Sequence, residues 1–269
     1  MRVISILIAF VMSIFNQTYA QGKSSPLKPP KNGKIYVVAH RGAHFEHKIP
    51  ENSLPAYQKA IDMGADFVEI DVRMTKDGHF VSMHNGNVNK YVVEDIDKDI
   101  KDMTLAEVKK LDIGSRIGPE WKGTQVPTFE EILDLCKGKI GIYLDLKQAP
   151  VKPLIEILRE KGMVHDVIWY ADDDELEEIK RIEPECIIMP DPGPEKNLPE
   201  LIDRFHPDVI AAVWKYMSAS FIKTCHEAGA IVITDDKGPK TWQPMLDWGV
   251  DGIQTDRPEQ LLKYLKEGK

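Results

Sequence analysis

Short apolar runs rich in β-branched residues alternate along this chain with stretches whose apolar residues recur every three or four positions. The runs are residues 35–39, 67–72, 80–84, 140–144, 167–170, 186–189, 209–213, 231–234 and 252–254. Their nearly continuous apolar character predicts strands covered on both faces. Between them, residues 53–63, 105–111, 129–136, 153–160, 175–181, 219–228 and 240–248 carry the spacing of amphipathic helices. Thr128, with Glu131 three residues on, marks one helix start as a capping box. Such alternation predicts a parallel sheet with crossover helices.

Nine runs are one more than a closed eight-stranded barrel holds. The second and third are too close for a helical crossover, which needs a dozen or more residues. Thr75-Lys76-Asp77-Gly78 between them is a turn sequence. We therefore expect a (β/α)8 TIM barrel in a single domain, with a small hairpin-like insertion near residues 71–84. A hairpin centred near Asp77 brings His84 back roughly opposite Asp71.

The ends narrow the domain. Arg2, the apolar stretch from Ile4 to Phe15 and a small residue at Ala20 have the form of an export signal. That stretch is shorter than the ~20 residues a stable membrane anchor needs. Residues 21–33, rich in proline and serine, read as a flexible linker. The expected organisation is a signal peptide at 1–20, the linker, and a barrel domain at 34–269. An exported protein, periplasmic or secreted and without a membrane anchor, follows from that organisation. The net charge of -8 argues against nucleic acid and anionic membranes as partners. It does not exclude an anionic small molecule, because a bound cation reverses the sign locally. Cys136, Cys186 and Cys225 are too few for a disulfide framework and read as buried thiols.

Chemistry in such a barrel gathers at the C-terminal ends of the strands. In order these carry His40 and Arg41, then Glu69 and Asp71, then His84, then Asp145 and Lys147. Glu69 and Asp71, two apart on a strand, point to the same face. Two buried carboxylates repel unless a hard cation joins them, and Asp145 supplies a third oxygen donor. Ion pairing with Arg73 or Lys147 is the other outcome for this pair. His40 and His84 are candidates for acid and base, since imidazole titrates near neutral pH. Arg41 and Lys147 have the charge to hold a phosphate.

The segment His40–Asn85, HRGAHFEHKIPENSLPAYQKAIDMGADFVEIDVRMTKDGHFVSMHN, closely resembles the signature of glycerophosphodiester phosphodiesterases, which runs HRG, PEN-[ST], E-x-D, T-x-DG and HD. GVDGIQTDRP at 249–258 resembles the C-terminal motif of the same family. The resemblance implies a barrel enzyme that uses one divalent cation, Ca²⁺ or Mg²⁺, to hydrolyse glycerophosphodiesters to glycerol 3-phosphate and an alcohol. By motif, His40 and His84 form the acid/base pair, Arg41 and Lys147 contact the substrate, and Glu69, Asp71 and Asp145 hold the metal. Glu51 is a lesser candidate for the metal shell.

Three departures stand out. Asp145 occupies a position that is usually glutamate, although related phospholipase D toxins on this barrel also use aspartate. Asn85 replaces the aspartate of HD. The strand at 231–235 lacks the family's tryptophan. Two further functions are therefore kept open: a phospholipase-D-like lyase that forms a cyclic phosphate, and a non-catalytic ligand-binding barrel.

Overall fold

The computed structural model describes residues 26–268. The expected export signal lies outside the described residues. Strands β1 (Tyr36–Ala39), β2 (Phe67–Met74), β3 (Phe80–Ser82), β4 (Gly141–Gln148), β5 (Val167–Tyr170), β6 (Ile187–Ile188), β7 (Val209–Val213), β8 (Ile231–Asp235) and β9 (Gly252–Thr255) form one sheet. Leaving out β3, the order is β6-β5-β4-β2-β1-β9-β8-β7 with parallel pairing throughout. The ring is nearly closed. Its ends meet through a hydrogen bond from the Ala211 amide to the Pro190 carbonyl, 3.0 Å.

The two runs too close for a crossover do form a hairpin. β3 pairs antiparallel with β2, Val72 opposite Ser82 and Met74 opposite Phe80, and the Met83 amide donates to Asp71 O. A longer excursion follows, from His84 to Pro127, with its own apolar core that includes Met83, Val88, Tyr91, Ile100, Met103, Val108 and Val126. Its apolar residues have no regular period, and the only α-helix in it is the single turn Leu105–Val108.

Two helices absent from the sequence expectation complete the ring, Leu198–Phe205 and Pro258–Glu267. Each has proline in its first turn, where the missing N–H has no intrahelical partner to lose. At Thr128 the expected capping box is present in full.

Side chains alternate across the strands. On β2, Val68, Ile70 and Val72 face the helices and join the core between sheet and helix layer. Phe67 faces the other way, into the barrel with Tyr36, Val38, Tyr143, Ile168 and Ile233. Leu27, from the stretch read as a linker, belongs to this interior cluster. Residues 26–33 close the base of the barrel: the Lys31 amide donates to Asp66 Oδ1 at 2.7 Å, and its ammonium reaches the Ala65 carbonyl at 2.6 Å. Prolines keep the segment out of regular structure without keeping it off the protein. Among the described residues no helix is long and apolar enough to cross a membrane.

Candidate active site

Above the apolar floor the inward positions change character. Glu69 and Asp71 follow Phe67 on the same face of β2, and Asp145 follows Tyr143 on β4. The sheet sets Asp71 directly beside Asp145 and Glu69 beside Tyr143. One oxygen from each of Glu69, Asp71 and Asp145 lies within 4.8 Å of the others.

Asp71 is fully buried, and its two oxygens have different surroundings. Oδ2 accepts from the Asn52 amide at 2.7 Å. Oδ1 has no hydrogen-bond partner, although the Lys147 ammonium lies 3.4 Å away. An orphaned carboxylate oxygen facing two further carboxylates is a strong argument for a hard cation, since burying it otherwise carries a desolvation cost. The three residues thus fit the divalent ion that the resemblance implies.

Burial, then repulsion by Asp71, pushes Glu69 up to about 8. Burial also raises Asp145, against the pull of Lys147. Burial opposes the charge on Lys147, but Asp145 outweighs it, and the Lys147 pKa is raised. The contact between them is 2.6 Å.

The loop after β1 carries the other half of the site. Arg41 takes a left-handed backbone (φ 53) and donates its amide to Glu69 Oε2 at 2.6 Å. Its guanidinium bonds Glu51 at 3.2 Å, while Nε, 3.8 Å from Asp71, is buried without a hydrogen-bond partner. Glu51 therefore pairs with Arg41 and lies outside the carboxylate triad. Asn52, also left-handed (φ 52), accepts at its amide oxygen from Tyr57 and Ser82, both at 2.8 Å. Those contacts turn the amide nitrogen toward Asp71.

The two imidazoles are held differently. His40 Nδ1 lies 2.7 Å from Asp256 Oδ1, and His44 Nε2 is 3.4 Å from the same oxygen. Burial works against a charged His40, but the bond to Asp256 and the charge of Glu69 prevail, and its pKa is raised. The same bonds from His40 and His44 hold Asp256 far below the usual carboxylate range. His84 Nδ1 lies 2.9 Å from the Asn85 side-chain oxygen. An amide oxygen only accepts, so this contact places a proton on Nδ1 and leaves Nε2 as the nitrogen free for other partners. Arg73, weighed as an ion-pair partner for the carboxylates, instead donates to the carbonyls of Met83 (2.9 Å) and His84 (2.5 Å) and fixes the loop that presents the ring.

All seven candidate residues therefore stand around one mouth. Asp256 and Asn52 with its two hydroxyl partners were not singled out beforehand, and Arg73 was weighed only as an ion-pair partner. Asp256 and Asn52 lie in matched motifs, TDRP and PEN, and that was their available signal. His44 is half-buried against Asp256.

An oxygen-lined cation seat, cations of the protein ready for an anion, and two differently held imidazoles belong together where a phosphate ester is cut, and the class this mouth defines is the phosphoric diester hydrolases. The profile of the Glycerophosphoryl diester phosphodiesterase family matches residues 40–183. A glycerophosphodiester phosphodiesterase of Caldanaerobacter subterraneus subsp. tengcongensis is 29% identical over 253 residues, covering 87% of this chain and 99% of its own. One from Bacillus subtilis is 35% identical over 176 residues, covering 58% and 56%. Among solved structures, a glycerophosphodiester phosphodiesterase from Agrobacterium tumefaciens superposes with a TM-score of 0.75 at 24% identity, covering 85% of this chain and 99% of that one. An Oleispira antarctica phosphodiesterase, solved with the product sn-glycerol-3-phosphate, gives 0.73 at 22%, covering 86% and 96%. The chain belongs to the glycerophosphoryl diester phosphodiesterase family.

Proposed function

We propose that this enzyme hydrolyses glycerophosphodiesters to glycerol 3-phosphate and an alcohol, with a divalent cation, His40 and His84. The observation that carries the proposal is the orphaned Asp71 oxygen, turned toward Glu69 and Asp145 beside the buried, unpartnered Arg41 Nε. The Asp71 oxygen has only the Lys147 ammonium at 3.4 Å and Arg41 Nε has no hydrogen-bond acceptor, and a divalent cation together with an anionic substrate would satisfy both. The named relatives and the Oleispira antarctica complex with sn-glycerol-3-phosphate support the same substrate class.

Glu69, Asp71 and Asp145 would hold a Ca²⁺ or Mg²⁺ ion, which would supply positive charge against the negative charge that develops on the phosphate. Arg41 and Lys147 bind the phosphate oxygens and fix the ester in the mouth. His84, with its proton on Nδ1, accepts at Nε2 the proton of the attacking hydroxyl, which comes from water, or from the substrate's own glycerol with water then opening the cyclic phosphate to glycerol 3-phosphate. His40, kept protonated by Asp256, gives a proton from Nε2 to the oxygen whose bond to phosphorus breaks. Asp256 holds the His40 ring and stabilises its charge. Asn85 keeps the orienting contact to His84 without a charge, which suits a histidine that starts as the base.

Hydrolysis of glycerophosphodiesters, followed by phosphorus NMR, tests the assignment. Chelation abolishes turnover, and Ca²⁺ or Mg²⁺ restores it. His40→Ala and His84→Ala each lower kcat by about 10²–10⁴-fold with an unchanged melting temperature. Full activity in both variants ends the acid/base assignment. Cyclic phosphate as the sole product assigns the lyase function instead, and no turnover with any divalent metal leaves a ligand-binding barrel.

Residues 1–20 direct export in this proposal. Sequencing the N-terminus of protein recovered outside the cytoplasm checks it: mature chains begin near Gln21.

A further inference from the structure

Past Asp145 the mouth opens into a cleft of about 620 Å³ lined by Asp145, Lys147, Tyr170, Asp172, Asp191 and Gly193 among others. A narrow recess sharing Tyr170 and Asp191 continues it toward the barrel axis, where Tyr143, Asp235 and Gln254 line it. The cleft begins at the proposed phosphate site. Tyr170 stands beside Asp145 in the sheet. Asp191 follows β6, one strand further, so two strand spacings of roughly 10 Å separate it from Asp145 along the rim.

Away from Lys147, acceptors dominate the polar side chains of this cleft and its recess. Asp191 accepts from the Gly193 amide at 2.7 Å and the Tyr170 hydroxyl at 3.3 Å, and it has no cationic partner among the described residues. Burial, together with the charge of Asp235, raises its pKa, as expected of a carboxylate without a counter-ion. The side-chain oxygen of Gln254 is buried with no hydrogen-bond partner. Tyr143, 7% exposed, makes no hydrogen bond through its phenol among the described residues. Its ring meets that of Tyr170 at 5.9 Å and 58°, so two tilted aromatic rings flank the recess. Carboxylate, amide oxygen, phenol and ring faces converge, and a positive group is what they lack. The two lysines nearest this space are already paired with carboxylates, Lys147 with Asp145 at the phosphate end and Lys237 with Asp235, and neither pairs with Asp191.

We propose that this cleft receives the leaving alcohol and selects one that carries a cationic nitrogen, an amino- or trimethylammonio-alcohol. The inference rests on the hydrolase function proposed above. The bound ester lies with its phosphate toward Arg41 and Lys147 and its nitrogen toward Asp191. Asp191 supplies the charge, and the tyrosine rings supply cation–π contact. Gln254 and Tyr143 offer oxygens to N–H donors, which a primary ammonium has and a quaternary one lacks.

The test compares kcat/KM for glycerophosphoethanolamine, glycerophosphocholine and the uncharged-headgroup ester glycerophosphoglycerol. At least one cationic ester is favoured over the glycerol ester by about tenfold or more, the size of one charge-assisted contact. Which cationic ester leads tells ammonium N–H recognition from ring recognition. Asp191→Asn lowers the cationic-to-neutral ratio about tenfold. Tyr170→Leu moves the ratio the same way and serves if the first variant fails to fold. Equal kcat/KM for all three esters, or an equal loss for all three in the variants, overturns the inference. The same ratios are read as calorimetric Kd values on the His40→Ala protein, which needs no turnover. If none of the esters is cleaved, the hydrolase proposal falls while unequal Kd values still support the pocket; equal Kd values end it.

Discussion

Asn52 acts at one remove from any substrate. Its carboxamide is clamped by Tyr57 and Ser82 and in turn occupies one oxygen of Asp71, which leaves the other for a cation. Partners that orient a metal ligand typically contribute 10–100-fold in affinity. Asn52→Gly removes the amide while accepting the left-handed backbone, so it isolates this contact. We expect Ca²⁺ and Mg²⁺ to bind about 10–100-fold more weakly by calorimetry. Unchanged affinity in a folded variant would show that Asp71 needs no such orientation. Glu69 makes metal binding pH-dependent. With its pKa raised from 4.5 to about 8, the ion-free fold keeps a proton there that the unfolded chain releases. Stability of the ion-free protein from this group therefore falls as pH climbs through that window. A cation has to expel the proton, so apparent metal affinity rises toward pH 8 by up to about tenfold per unit and levels off above. A flat affinity across pH 6–8 contradicts the raised value.

Turns and strand ends set how the elements deliver these side chains. The chain leaves β1 through Arg41 and Gly42, both at positive φ. At Gly42 (φ 82) a Cβ would stand 2.7 Å from the Ala56 Cβ and 2.8 Å from its carbonyl carbon. Gly42→Ala is expected to destabilise by about 1–3 kcal/mol and to displace Arg41. Thermal denaturation reads the first effect and a raised KM the second. Much at this scale was legible in advance. Period-two spacing put Glu69 and Asp71 on one face, and the turn at Asp77 announced the hairpin that returns His84. Asp256 was not legible as a partner of His40: 216 residues separate them, and only the pairing of β9 with β1 brings them together. Proline concealed the helices at Leu198 and Pro258, because a breaker and a first-turn residue look alike in a string. Asn52 was hidden for another reason. Its partners, Tyr57, Asp71 and Ser82, come from a helix, a strand and a hairpin arm.

Across the whole molecule, the base and the mouth of the barrel are built from different parts of the sequence. Leu27, Lys31 and Asp66 seal the base, and the Asp66 carboxylate also accepts from the Val37 amide at 2.8 Å on the first strand. Leu27→Ala is expected to destabilise by about 2–3 kcal/mol, the low end for a buried leucine, with kcat unchanged. A melting temperature equal to wild type would return this segment to the status of a spacer. The carboxylate triad sits on β2 and β4, joined to each other over seven paired positions from Phe67 to Arg73. The ring is joined least between β6 and β7, where β6 is two residues long and the Ala211–Pro190 hydrogen bond stands in for a strand pairing. Asp191 emerges beside that joint. The proposed grip on phosphate is thus set in continuous masonry, while the proposed berth for the alcohol stands at the joint that a backbone hydrogen bond closes in place of a strand pairing.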